Sequence, residues 1–193
     1  MNKNNIIMII ATVAIVFLLI FAVKKASQPK KETVVYNNFE FEKIDGMWYT
    51  QWQLGEELFN VPLRYNPYEV EDVPIIGSLN SSFKQPYVYL TFDPTVDESA
   101  FKYLALGAAE FTLSFSKSFK TTIIAACTKN ETDTCKDRPI VTCNDKDKAV
   151  VYLDPRGAPR ILLSGNCINL QGAEWDMLKA VDRTLYHFYQ IMK

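Results

Sequence analysis

Cys127, Cys135, Cys143 and Cys167 are the residues of this chain best suited to covalent chemistry, and all four lie in its C-terminal half. Seven residues separate Cys127 from Cys135 and seven more separate Cys135 from Cys143, so no Cys-x-x-Cys pair exists and a zinc site is not expected. An even number of cysteines suits two disulfides in an oxidising compartment. Four cysteines permit three pairings; short loops and neighbouring strands favour Cys127 with Cys135 and Cys143 with Cys167. Each bridge stabilises by roughly 2 to 4 kcal/mol through restriction of the unfolded chain.

A thiol enzyme is the sharper reading of the same residues. Cys127 ends an apolar run, where a nucleophile can emerge, and it would need a base to become a thiolate. His187 is the one histidine. At helical spacing it falls four residues from Arg183, off the apolar stripe, which places it in solvent rather than beside a thiol. Cys127 and His187 are thus the catalytic candidates, weighed against a structural role for both.

Other chemistry finds less support. Asp93, Asp97 and Glu98 are accounted for by a helix start, and Asp145 and Asp147 alternate with lysines in a charged turn that lacks the glycine of a calcium loop. The seven glycines are scattered, without a phosphate loop or dinucleotide fingerprint. No metal or cofactor is expected. Lysine plus arginine number 21 against 22 acidic residues, and no basic stretch interleaves with aromatics, so nucleic acid is not an expected partner.

The elements that must position these residues follow from periodicity. Val34 to Ile44 and Met47 to Leu54 alternate apolar and polar positions around Asp45-Gly46, which tolerates the positive φ of a type I′ turn. Leu58 to Tyr65 and Tyr87 to Phe92 read as further strands, with a loop between them that contains Pro67, Pro74 and Gly77. Thr95 and Glu98 fit a capping box. A long helix follows, with Phe101, Leu104, Ala108, Phe111, Phe115 and Phe119 on one face and Leu106 and Leu113 widening it. Thr121 to Cys127, Pro139 to Cys143, Ala149 to Leu153, Arg160 to Leu163 and Cys167 to Leu170 suggest strands, with Asp154-Pro155-Arg156-Gly157 as a hairpin loop. Glu174 to Met192 forms a terminal helix, its stripe of Leu178, Val181, Leu185, Phe188 and Met192 opposite Asp176, Lys179, Arg183 and Gln190. Aromatic residues, 13% of the chain, serve mostly as core, with part available for recognition.

From Ile6 to Val23 only Thr12 is polar, and as a helix this run spans about 27 Å, enough to cross a bilayer. The chain therefore divides into a short flank (1–5), a transmembrane anchor (6–23), a polar linker (24–33) and one soluble domain (34–193). The expected fold is α+β: an N-terminal transmembrane helix followed by a mainly antiparallel sheet packed by two amphipathic helices. Lys24, Lys25, Lys30 and Lys31 after the span argue for a cytoplasmic domain. The cysteines argue for the opposite side, as do the glycosylation sequons at Asn80 and Asn130, and the extracytoplasmic orientation is favoured.

At Arg138-Pro139-Ile140-Val141-Thr142-Cys143, Gly165-Asn166-Cys167-Ile168 and Ala180-Val181-Asp182-Arg183 the chain resembles small membrane-anchored proteins of uncharacterised archaeal families. That resemblance implies an envelope location and carries no catalytic residue or ligand. The leading expectation is a single-pass, membrane-tethered binding or scaffolding module with the bilayer and an envelope protein as partners. The alternatives are a thiol-dependent or hydrolytic enzyme using Cys127 with His187, and an accessory subunit of a membrane complex.

Overall fold

The computed structural model describes residues 12–17 and 31–193. Thr33–Lys193 forms one compact unit and Met1–Glu32 another; in the latter the described stretch, 12–17, is helical. Apart from 12–17, the expected anchor at 6–23 lies outside the described residues, as does most of the linker at 24–33. Among the described residues no helix is long and apolar enough to cross a membrane.

The domain opens with a four-stranded antiparallel meander of β1 (Thr33–Tyr36), β2 (Phe39–Ile44), β3 (Met47–Leu54) and β4 (Glu57–Leu63). The stretch expected as one strand from Val34 is two, because Asn37 and Asn38 both take positive φ (46° and 67°) and make a hairpin turn of their own. Asp45 and Gly46, at φ 50° and 82°, turn the next hairpin as expected. Phe41, Trp48, Trp52, Phe59, Val61 and Leu63 alternate onto one buried face.

The second sheet has six strands in the order β5-β9-β10-β8-β6-β7: β5 (Ile75–Leu79), β6 (Tyr87–Phe92), β7 (Thr122–Cys127), β8 (Ala149–Asp154), β9 (Arg160–Gly165) and β10 (Cys167–Gln171). Here the expectation of a mainly antiparallel sheet is corrected. Only β9 and β10 pair antiparallel; β5 with β9, β10 with β8, β8 with β6 and β6 with β7 are parallel. The physical reason lies in β8, whose Ala-Val-Val-Tyr-Leu run is buried at all but one position and belongs inside a sheet covered on both faces. Accordingly β10 inserts between β8 and β9, and Asp154 to Gly157 is a crossing loop rather than a hairpin. The Pro139 to Cys143 strand reduces to a single bridge between Cys127 and Ile140. Strand β5 was hidden by Gly77, whose φ of 98° and close approach to β9 exclude a side chain: a Cβ there would lie 2.0 Å from the Leu163 carbonyl oxygen.

Two helices, α1 (Glu98–Phe119) and α2 (Trp175–Phe188), pack against each other and against the six-stranded sheet. The four-stranded sheet covers their other side: the Phe41 ring lies 5.8 Å from Tyr186, and Trp52 lies 4.9 Å from Tyr189 and 5.3 Å from Phe119. This second cover explains a further correction. Arg183, on the flank of α2 expected to face solvent, is buried, and so is the neighbouring Asp182. The N-cap of α1 is Asp97, whose Oδ1 accepts the Ala100 N–H at 2.8 Å, rather than Thr95.

Candidate functional site

The sulfurs pair as Cys127 with Cys135 and Cys143 with Cys167, across Cα separations of 6.0 and 5.3 Å. No cysteine is free. The Cys143–Cys167 bridge lies on the face of the large sheet away from the helices, where Val141, Val150, Cys167 and Ala126 form a small second core. Because its sulfur is committed to Cys135, Cys127 has no thiol to ionise, and the structure does not bring it together with His187. Nor does His187 stand in solvent. It is half-buried beside Phe188 with its Nδ1 unpartnered, and burial first, then the positive charge of Arg183, push its pKa down. Asn80 and Asn130 are exposed; the Asn80 side-chain Oδ1 accepts the Ser82 N–H at 2.9 Å at the start of a short 3₁₀ turn. Among the described residues no three His, Cys, Asp or Glu side chains converge as metal ligands would.

An apolar cavity lies between α1 and strands β6, β7 and β8, with a volume of about 440 Å³. The sequence explains its existence. The inner face of α1 carries Leu104, Phe111 and Phe115 into the core, and Gly107 lets the helix approach Met177 and Val181 of α2. The flank toward β7 carries Ala105, Ala108 and Ala109 instead, opposite Ile123 and Ala125, so small side chains leave space that leucines would fill. Phe101 and Leu113, expected as core, are 38% and 63% exposed and bound this space at its two ends along the helix.

Arg138 is the one charged residue lining the cavity. It is placed by covalent and backbone bonds together: the bridge from Cys127 to Cys135 ties its turn to the end of β7, the Arg138 N–H donates to Cys135 O at 3.2 Å, and Cys127 N–H donates to Pro139 O at 3.0 Å. Nearby Lys129 is matched by Asp93 at 3.3 Å and Glu131 at 3.5 Å, whereas among the described residues no carboxylate lies within ion-pair distance of Arg138. Arg138 could have been noticed in the sequence only as a basic residue three positions past a cysteine, which is no signal by itself.

Two other features are polar. A broad depression of about 900 Å³ on the four-stranded sheet is lined by outward residues such as Glu40, Glu42, Gln51 and Asn60. Asp182 is wholly buried and accepts the Arg64 and Tyr65 N–H groups at 2.8 Å each; burial holds its carboxyl well above the usual carboxylate range. Arg64 in turn pairs with Glu110 and lies over the Trp175 ring at 5.4 Å. Comparison with protein-family models, with curated proteins and with solved structures found no match to this chain.

Proposed function

We propose that this chain is a membrane-tethered, extracytoplasmic binding module whose ligand seat is the cavity between α1 and β7. The observation that carries the reading is the lining of that cavity: apart from Thr112 and Arg138, every side chain there is aliphatic or aromatic. Such a site can hold a ligand, and it offers neither a nucleophile nor an acid and base pair to transform one. Complete pairing of the cysteines supports an oxidising compartment, as disulfides persist there and are rare in the cytosol. The apolar run from Ile6 to Val23 supports the tether. The thiol-enzyme alternative loses its nucleophile to Cys135.

Intact cells producing the full-length chain provide the test. A membrane-impermeant maleimide is expected to add no mass without reductant and four labels after reduction, with the chain sedimenting with membranes. Four reactive thiols in unreduced, freshly lysed cells, or a chain found wholly in the detergent-free supernatant, would overturn this placement.

A further inference from the structure

We infer that the cavity takes a single-chain amphiphile, an extended aliphatic chain ending in one carboxylate, with the carboxylate on Arg138 and the chain along α1. This rests on the cavity being the ligand seat. Its lining runs from Phe101 to Leu113 on one helix flank, about 18 Å at helical rise. A volume of about 440 Å³ spread over that length is a narrow slot, shaped for one chain laid lengthwise. The walls are apolar along this run, so an occupant gains by burying methylenes and has no polar partner midway except Thr112.

The polarity of the slot is set by the strands. Cys127 lies opposite Phe92 in the parallel pair of β6 with β7, Phe92 touches Phe101 with ring centroids 5.7 Å apart, and Ile140 bridges to Cys127. Arg138 therefore stands at the Phe101 end, and the chain points toward Leu113 and Ile123. A guanidinium fork fits a carboxylate with two parallel hydrogen bonds, and among the described residues no carboxylate pairs with this one, while the neighbouring Lys129 is already matched. Charge selects an anionic head, and the slot selects a chain behind it.

The full-length chain in zwitterionic nanodiscs is photolabelled with decanoate and with decanol, each carrying a diazirine at the chain terminus, and the modified peptides are located by mass spectrometry. Decanoate is expected to label α1 and β7 saturably, with each methylene removed from the chain raising the half-saturating concentration about fourfold. Arg138→Gln, on an exposed turn, is expected to raise it roughly tenfold for decanoate and to leave decanol unchanged. Ala109→Trp, at an exposed helix position that lines the slot, is expected to abolish both. Equal labelling by decanol and decanoate, with no effect of Arg138→Gln, would overturn the anionic ligand and leave the binding seat standing. Labelling outside α1 and β7, or undiminished by Ala109→Trp, would overturn the seat itself.

Discussion

Asp182, buried within α2, accepts the backbone N–H of Arg64 at 2.8 Å, so a helix carboxylate satisfies the first amide beyond the end of β4. The same oxygen takes the Tyr65 amide, and Tyr186, one turn further along α2, donates its hydroxyl to the Tyr65 carbonyl at 2.7 Å. Three hydrogen bonds thus join the four-stranded sheet to the helix layer at the point where the chain leaves the sheet. Their location between two apolar layers is why the carboxyl resists ionisation.

That resistance has a sign in stability. The folded protein holds the Asp182 proton more tightly than the unfolded chain, whose carboxyl titrates near 3.8, so the contribution is full below that value and is lost as pH rises through the raised folded pKa. The urea midpoint of the wild-type domain is expected to fall relative to that of Asp182→Asn as pH climbs from 4 toward neutrality. Parallel profiles for the two proteins would show that the carboxyl does not titrate differently on folding.

His187 acts in the opposite direction. Its folded pKa is depressed below 6.5, so the stability that it contributes is present above that value and is lost as pH falls through the depressed one. Replacing His187 by Gln is expected to flatten the loss of stability below pH 6.5, read from the same denaturation midpoints. An unchanged acid limb would place the imidazole in solvent.

The two bridges close loops of different length, with sequence separations of 8 and 24. Chain entropy alone makes the first worth about 2.6 kcal/mol and the second about 3.5 kcal/mol. Paired serine replacement of Cys143 and Cys167 is thus expected to lower stability more than that of Cys127 and Cys135. Only the latter should also weaken decanoate labelling, since it frees the turn that carries Arg138. The reverse order in unfolding free energy would argue that the bridges act through the native state.

Gly77→Ala is expected to destabilise by on the order of 3 kcal/mol, because the new methyl meets a strand carbonyl that cannot move without breaking the pairing of β5 with β9. Gly55→Ala, with open space around a positive φ, is expected to cost about 1 kcal/mol. Equal losses in calorimetry would rule out the close contact at Leu163.

What the sequence by itself determined is local. The turn at Asp45-Gly46, the alternation through Trp48 and Trp52 and the helical recurrence of Leu104, Phe111 and Phe115 are written within a few residues of each other, because turn φ values and side-chain periodicity depend on near neighbours. The cysteine pairing was legible for a related reason: short loops limit which sulfurs can meet. Tertiary structure alone decided the insertion of β10 between β8 and β9, the burial of Asp182 under a second sheet, and the slot beside Arg138. Strand order follows from which runs must be covered on both faces once all are present. A cavity is space that several elements leave between them, so no single segment encodes it.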